Sequence, residues 1–380
     1  MNKRLFLIFH GRFPSEKAAS LFAAKSAEVF GSQGLKTTLI VPRRRGALAD
    51  DPYVYYGIEH SFDIVYIKTV GIFGIRILEP LAFCLSYFFF SLGTFFYIKK
   101  NSSVDDIIYS NEIFPLVLVS YARPNCFYEM HDFPESKIAI FGWCLKKMKW
   151  ILIHNKWKLI EVKKIFPEIS LTRFLYEPNA VDMTAFNLSL SKEEAREKLS
   201  LPVTKKIAVY TGHLYGWKGV HTLAESAALL SSDFLVIFVG GTVEDVAKFR
   251  EKYATTPHIS IVGHVNHAEI PLWQKAADVL VLPNTAKEKI SAFYTSPMKL
   301  FEYMASGVPI VATDIPSIRE IVNDESAVFV EPDNAQALAD GIVKAVTTEI
   351  GPKISEQAFR DVESHTWEKR AKRIVDFIEK

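Results

Sequence analysis

Residues 295–314, TSPMKLFEYMASGVPIVATD, contain the pattern that decides the fold. Ser296 predicts a helix N-cap, and Pro297 fits the first helical position, where a missing N–H costs nothing. Apolar residues then recur at helical spacing until Gly307 ends the helix. The apolar run at 309–312 predicts a buried strand directly after it. A helix followed by a buried strand is typical of a parallel α/β sheet.

Two charged residues of this helix predict a ligand site. Lys299 lies in the first turn, where the positive end of the helix makes a lysine locally unfavourable. An anion bound by Lys299 and the free first-turn amides would remove that conflict. Glu302, one turn later, shares roughly the same face and is suited to accept hydrogen bonds from sugar hydroxyls. The pattern favours a pocket for a phosphorylated sugar or a nucleotide, although a surface lysine on an ordinary buried helix fits the spacing equally well.

A second motif of this kind is VYTGHLYGWKGV at residues 209–220. Gly212 and Gly216 would let the backbone approach a ligand closely, and Lys218 precedes a helix that starts at about Gly219. The order of residues matches neither a Walker A motif nor G-x-G-x-x-G, so this motif alone leaves a structural role equally open. A diphosphate carries about two negative charges, and two lysine-bearing helix starts in one domain would balance them without a metal.

The whole chain alternates strands and helices in two series, and 380 residues exceed one typical core, so two domains are expected. The predicted strands of the first series are 4–10, 36–42, 62–68, 106–110, 125–130, 150–154 and 173–176, with helices over 15–30 and 156–166. Those of the second series are 207–211, 234–240, 259–262, 279–283, 309–312 and 327–330, with helices over 220–230, 243–253, 268–277, 317–322, 335–346 and most of 354–380. Such series form doubly wound sheets that bind ligands at the carboxyl ends of their strands, here expected in a cleft between two halves that join near 177–199.

Composition narrows the partners and the compartment. The 45 Lys+Arg residues nearly balance the 43 Asp+Glu residues, so nothing demands nucleic acid as a partner. The three cysteines show no metal spacing and leave one unpaired, and residues 1–10 are too short for a signal peptide. These features predict a protein of the reducing cytoplasm.

Residues 81–98 form an uncharged apolar stretch at the lower edge of a membrane span. A single crossing would leave the strands before and after it on opposite sides of the bilayer, so a buried or membrane-facing helix is favoured. Lys99 and Lys100 would suit anionic headgroups. Residues 143–164 mix tryptophans with lysines like an interfacial surface, although a solvated helix face explains them equally well. The prediction is peripheral contact with the cytoplasmic face of a membrane.

In their order, GHLYGWKGV, FVGG, VGHV, ADVLVLP and SPMKLFEYMASGVPIVATD resemble a retaining family 4 glycosyltransferase of the GT-B architecture. SEKAASLFAAKSAEVFGSQG, PNAVDMTAF and TWEKRAKRIVDFIEK extend the resemblance over essentially the whole chain. It implies two Rossmann-like domains that face a central cleft: an acceptor-binding domain over 1–176 and a nucleotide-sugar domain over 177–363. The helix at 364–380 would cross back to the first domain.

The implied reaction transfers a sugar, with retention of configuration, from a UDP- or GDP-sugar to a glycan or lipid-linked acceptor. No tightly bound cofactor is expected. No Asp-x-Asp stands at the end of a likely strand facing the cleft, so no essential metal is expected either.

The resemblance also assigns residues. Lys218 matches the family's phosphate-binding lysine, Glu302 the second glutamate of its E-x7-E motif, which holds the donor ribose, and His131 the histidine near the reacting sugar. His131 would donate a hydrogen bond to a sugar hydroxyl rather than bind a metal; without the resemblance, a structural histidine is the better interpretation. The predicted catalytic residues are thus His131, Lys218 and Glu302. The predicted donor site comprises Gly212, His213, Lys218, Gly240, His264, Val265, Tyr294, Ser296, Lys299 and Glu302.

Two positions depart from the family pattern. Tyr294 stands where the first glutamate of E-x7-E normally meets the transferred sugar, which leaves the donor sugar open. His213 stands where the phosphate loop usually has an arginine, so we expect Lys299 to replace that contact. The first departure keeps a non-catalytic, two-lobed nucleotide-sugar-binding protein open as an alternative. A nucleotide-sugar epimerase or a phosphorylase of the same architecture is the other alternative.

Overall fold

The structure, a computed structural model, describes residues 3–15, 17–44, 51–69, 79–134, 136–186 and 188–380. Met1, in the expected N-terminal segment, and Glu16, in the first predicted helix, lie outside the described residues. The chain divides into two compact units, Met1–Glu177 together with Trp367–Lys380, and Pro178–Thr366. Each unit contains its own parallel sheet.

The first unit is a doubly wound α/β domain. Its strands are β1 (Arg4–Ile8), β2 (Lys36–Arg43), β3 (Phe62–Lys68), β4 (Ile107–Ser110), β5 (Cys126–Met130), β6 (Trp150–Ile153) and β7 (Phe174–Tyr176). They pair in the order β3-β2-β1-β4-β5-β6-β7, which reverses direction beside β1, as in Rossmann folds. The helices between them are α1 (Ala18–Ser32), α2 (Pro52–Tyr56), α3 (Glu79–Asn101), α4 (Ile113–Ser120), α5 (Ile138–Lys147) and α6 (Lys156–Ile165).

The second unit repeats this plan with six strands. They are β8 (Lys206–Thr211), β9 (Phe234–Val239), β10 (Ile259–Gly263), β11 (Val279–Leu282), β12 (Ile310–Thr313) and β13 (Val328–Val330), in the order β10-β9-β8-β11-β12-β13. The helices are α7 (Met183–Phe186), α8 (Lys192–Lys198), α9 (Val220–Ala227), α10 (Val243–Lys252), α11 (Ile270–Lys275), α12 (Met298–Ala305), α13 (Pro316–Arg319), α14 (Ala335–Thr347) and α15 (Ile350–Val362). Because alternate residues of a strand face opposite sides, Ile207 and Val209 of β8 join one core cluster, and Ala208 and Tyr210 join the other.

The closing helix α16 (Trp367–Glu379) packs on α1 of the first unit. The ring of Trp367 contacts that of Phe22 edge to face, with 5.2 Å between the centroids. Arg370, which is 2% exposed, pairs with the fully buried Glu129 of β5 at 2.6 Å. A buried ion pair therefore joins this helix to the sheet.

The predicted fold, two doubly wound parallel sheets, is confirmed, but the predicted start of the organising helix is wrong. Pro297 rather than Ser296 is the N-cap of α12, and it provides no side-chain cap. A π-helical turn, Ile290–Tyr294, precedes it, and the extended backbone of Thr295 and Pro297 separates the turn from the helix. The Asn179 side-chain amide donates to the Ser296 carbonyl, so Ser296 anchors this extended segment instead of capping the helix.

Candidate functional site

Glycines occupy the carboxyl ends of three neighbouring strands in the second unit. Gly212 follows β8, Gly240 follows β9 and Gly263 ends β10, with φ angles of +128°, +114° and +98°. The Gly212 N–H donates to the Val239 carbonyl at 2.8 Å, and the Gly240 N–H donates to the Gly263 carbonyl at 2.7 Å. A Cβ atom on Gly240 would lie 2.5 Å from the Gly212 oxygen. The ends of these three strands consequently lie close together at this edge of the sheet and carry no side chains at these positions.

We expect Gly240→Ala to destabilise the second unit more than Gly307→Ala does. Both glycines have positive φ, so alanine costs about 1–2 kcal/mol of strain at either position. Only at Gly240 does the new methyl group also meet backbone; nothing lies within 4 Å of the methyl at Gly307. Urea unfolding of both variants measures the difference, and equal losses of unfolding free energy would contradict the close packing of the strand ends.

Lys299 reaches this edge from the first turn of α12. Its Nζ atom lies 3.8 Å from the centroid of the Tyr210 ring, and a Cβ atom on Gly212 would lie 3.1 Å from it. The side chain is 9% exposed, and Nζ has no hydrogen-bond partner among the residues that the structure describes. Burial lowers the pKa of Lys299 well below its usual value, and the charge of Lys218 lowers it further while Glu302 raises it. Such an ammonium is poorly satisfied unless an anion joins it.

Lys218 approaches from the neighbouring helix start. It closes a 3₁₀ turn, Gly216–Lys218, directly before α9, and its Nζ lies 4.2 Å from the Trp217 ring centroid. Gly219 follows with φ +71°. A Cβ atom at this position would collide with the carbonyl oxygen of Pro283, the residue after β11, so no side chain fits there. Burial lowers the pKa of Lys218 to about 8. The turn is therefore held against the sheet, with its lysine partly desolvated.

The two histidines of the predicted donor site share this environment. The His213 ring stacks on Tyr215, with 4.9 Å between the centroids and a 6° interplanar angle. Burial lowers the pKa of His213, and the charges of Lys218, Lys299 and His264 lower it further against an opposing effect of Asp245. Lys218, Lys299 and His264 therefore lie close enough to His213 for their charges to act on it. His264 is exposed, whereas Val265 is half-buried against the core.

Glu302 lies on α12, one turn after Lys299, and its side chain is 13% exposed. Its Oε1 atom lies 3.2 Å from Nε2 of His267, a residue outside the predicted donor site. The next residue, Tyr303, accepts hydrogen bonds from the Thr211 N–H at 2.9 Å and the Thr211 hydroxyl at 3.2 Å. This buried contact fixes α12, and with it Lys299 and Glu302, to the end of β8.

Two predicted donor-site residues lie in the segment before α12. Tyr294 ends the π-helical turn and is half-buried. Ser296 is buried and interacts with Asn179. The described contacts bring Gly212, Gly240 and Lys299 together, and the charges of Lys218, Lys299 and His264 all act on His213. The turn that ends at Tyr294 contacts the turn that carries Lys218.

His131 belongs to the first unit, where it directly follows β5. Its Nε2 atom lies 3.3 Å from Oε1 of Glu129, and its ring packs edge to face on Phe22 and His154 with centroid distances of 4.9 and 4.6 Å. The buried ammonium of Lys158 donates to the His131 carbonyl. Ring packing thus fixes the imidazole, and the Lys158 hydrogen bond fixes the backbone of His131, at the end of the strand.

The ligand atoms of Glu129, His131 and His154 lie within 4.8 Å of one another, a spacing that could hold a metal ion. Arg370 already lies 2.6 Å from the Glu129 oxygen that faces both histidines. Burial lowers the pKa of His154, and the positive charge of Lys158 lowers it further. A metal ion would therefore sit beside two cations. The donor set fits a buried ion-pair network better than a metal site.

Sequence comparisons match the segment that carries the two lysines. Residues 191–361 match the family "Glycosyl transferases group 1". The chain is 27% identical over 175 residues to the teichuronic acid biosynthesis glycosyltransferase TuaC of Bacillus subtilis. This match covers 46% of this chain and 42% of TuaC. It is 26% identical over 209 residues to the lipopolysaccharide core biosynthesis mannosyltransferase LpsB of Rhizobium meliloti, covering 49% and 57%. The chain thus spans about half the length of the curated relatives that it matches. These matches support a glycosyltransferase.

Solved structures resemble the chain over its whole length. Sucrose-phosphate synthase from Thermosynechococcus elongatus has a TM-score of 0.78 at 16% identity, covering 99% of this chain and 98% of that one. HepE of Anabaena, in complex with UDP, has a TM-score of 0.73 at 17% identity and covers 99% of both chains. The predicted GT-B fold is confirmed, and at these identities the likeness concerns the fold.

Proposed function

We propose that the protein is a retaining, metal-independent glycosyltransferase that moves a sugar from a nucleotide-diphosphate sugar to a glycan or lipid-linked acceptor. One observation carries the proposal: the buried Lys299 ammonium lies beside Gly212, within the field of Lys218, and has no hydrogen-bond partner among the described residues. A diphosphate would supply the missing acceptors and neutralise both lysines.

The proposed chemistry needs little acid–base catalysis. A nucleoside diphosphate is a good leaving group once its charge is neutralised, and Lys218, Lys299 and the amides at the start of α12 would supply that stabilisation without reorganising. Glu302 would accept hydrogen bonds from the ribose, and the turn at His264 and Val265 would contact the base. His131 would bind a hydroxyl of the transferred sugar, and Tyr294 would take the place of the family's first glutamate.

The comparisons support this substrate class. The sequence relatives are named for teichuronic acid and lipopolysaccharide core biosynthesis, and a structural neighbour binds UDP. A polysaccharide or glycolipid precursor is thus the proposed acceptor, used at the cytoplasmic face of a membrane. Uridine and guanosine remain the two candidate bases.

Incubation of the protein with UDP- and GDP-sugars tests the proposal. We expect release of the nucleoside diphosphate, by transfer to an added acceptor extract or by slow hydrolysis, and EDTA should leave the rate unchanged. NMR of the product should show the anomeric configuration of the donor. Binding without turnover would favour the non-catalytic alternative, and conversion of the donor sugar into its epimer would favour the epimerase.

We expect the affinity for a nucleoside diphosphate to fall as the pH rises above about 8, because burial lowers the pKa of Lys218 to about 8. The anion binds the protonated lysine, so loss of the Lys218 proton raises the dissociation constant by up to about tenfold per pH unit above that pKa. Titration calorimetry between neutral pH and pH 9.5 measures the trend. Lys218→Arg, which stays charged, should weaken the pH dependence, and an equal dependence in this variant would exclude Lys218 as its source.

A further inference from the structure

Helix α3 of the first unit is apolar on its outward side as well as on its inward side. Its inward side carries Ala82, Ser86, Phe90, Thr94 and Ile98, all buried and four residues apart. The hydroxyls of Ser86 and Thr94 have no hydrogen-bond partner among the described residues.

The opposite side of α3 carries large apolar side chains. Leu81, Phe88 and Phe96 are 58%, 60% and 58% exposed, and Phe89 is exposed beside them. A helix surrounded by water buries its aromatic side chains and exposes its hydroxyls, so this arrangement fits an apolar medium on the outer side.

Helices α4 and α5 extend the exposed apolar surface. Helix α4 packs against both α3 and α5. Phe114 of α4 is exposed, and its ring lies 6.2 Å from that of Tyr87 on α3. Tyr121 is exposed directly after α4, and Ile140 and Trp143 are exposed on α5. We call this surface the aromatic face; it comprises Leu81, Phe88, Phe89, Phe96, Phe114, Tyr121, Ile140 and Trp143.

Lysines flank the aromatic face. Lys99 and Lys100 end α3, and Lys146 and Lys147 end α5. Lys147 lies 5.0 Å from the Tyr121 ring and 5.6 Å from the Trp143 ring, so charge and aromatic surface adjoin directly. Residues 81–101, α4 and α5 contain no Asp or Glu, although Lys146 pairs with Glu168 of a nearby loop. This pattern complements a surface that is apolar inside and anionic at its boundary.

We propose that the aromatic face docks on an anionic lipid bilayer, with α3 lying in the interface. This inference deepens the proposed membrane-proximal function. Residues Leu81–Asn101 are long and apolar enough to cross a membrane by length and composition, and a third of that window is buried. Crossing would withdraw Phe90 and Ile98 from the core of the first unit, where both are fully buried. Docking exposes neither, while the aromatic rings enter the boundary region and the lysines meet the headgroups.

Co-sedimentation with vesicles tests the proposal. We expect the whole protein to bind vesicles of phosphatidylcholine mixed with phosphatidylglycerol, and to bind pure phosphatidylcholine and high-salt samples more weakly. Phe88→Ser/Phe96→Ser should lower the partition coefficient at least about tenfold, since two exposed rings leave the interface. Val243→Ser, which removes an exposed apolar side chain of the second unit, should change nothing.

Nucleotide binding separates this inference from the proposed function. Both variants should bind a nucleoside diphosphate as the wild type does, which also shows that the second unit is folded; circular dichroism checks the first unit. Failure of the wild type to bind anionic vesicles, or equal binding by Phe88→Ser/Phe96→Ser, would overturn the proposal. A dimer in solution that this variant dissociates, without vesicle binding by the wild type, would instead assign the face to a second copy of the chain.

Discussion

We expect Lys299→Met to weaken nucleoside diphosphate binding at least about tenfold, because a charged hydrogen bond contributes about 1.5–3 kcal/mol. The same change should stabilise the unliganded protein, since burial lowers the pKa of Lys299 well below its usual value and the ammonium has no hydrogen-bond partner among the described residues. Methionine has nearly the same length and fills the same space over Tyr210 without a charge. Weaker binding with higher stability is the signature of a residue kept for its ligand.

The pH dependence of this gain has a definite sign. A lysine whose pKa is lowered in the folded state penalises folding fully below that pKa, and the penalty disappears as the pH rises towards the usual lysine value of about 10.5. The stability difference between Lys299→Met and the wild type should therefore shrink in alkaline buffer. Urea unfolding and titration calorimetry measure the two effects, with the exposed Lys344→Met as the control. Unchanged affinity in Lys299→Met would remove Lys299 from the site.

Arg370→Met should lower the unfolding free energy of the first unit by about 3–5 kcal/mol, the usual cost of removing one partner of a buried ion pair. The Glu129 carboxylate is fully buried, 2.6 Å from Arg370, and also accepts a hydrogen bond from the Tyr109 hydroxyl. Lys372→Met, on the same helix, removes an exposed partner of Asp376 and should cost less than about 1 kcal/mol. Equal losses of unfolding free energy in the two variants would show that the buried Arg370 pair contributes no more to stability than the exposed Lys372 pair.

Two further measurements identify the mechanism of that loss. Glu129→Gln in the Arg370→Met background should recover part of the stability, because the unpaired carboxylate charge is then removed from the core. Burial alone would raise the pKa of Glu129, but Arg370 and the two histidines hold it well below its usual value. Its stabilising effect is present above the unfolded pKa and is lost as the pH falls through the folded pKa. The difference between the wild type and Arg370→Met should therefore narrow in acid.

The fold was largely predictable because parallel strands buried on both faces are near-continuous apolar runs. Strand β3 begins and ends at the predicted residues 62 and 68. Helix α4, IFPLVLVS, was missed because a short apolar run has no periodicity that separates a helix from a strand. The misplaced N-cap at Ser296 had a different cause, the π-helical turn before it, which sequence patterns rarely reveal.

The candidate site was predictable where its signals are local. Gly212, Lys218 and Lys299 each stand next to a strand end or a helix start, so their motifs could be recognised in the sequence. The contacts of Tyr303 with Thr211 and of Arg370 with Glu129 join residues 92 and 241 positions apart, and that of His267 with Glu302 joins residues 35 positions apart. Such partners are set by tertiary packing, and nothing in one sequence pairs them.

The most direct test of the account is a calorimetric comparison of nucleoside diphosphates with the matching monophosphates, because the two lysines are proposed to hold the second phosphate. For the wild type, we expect UDP or GDP to bind at least about tenfold more tightly than UMP or GMP, and Lys218→Met/Lys299→Met to abolish that preference. Equal affinities for the diphosphate and the monophosphate, or a preference that survives in the double variant, would contradict it.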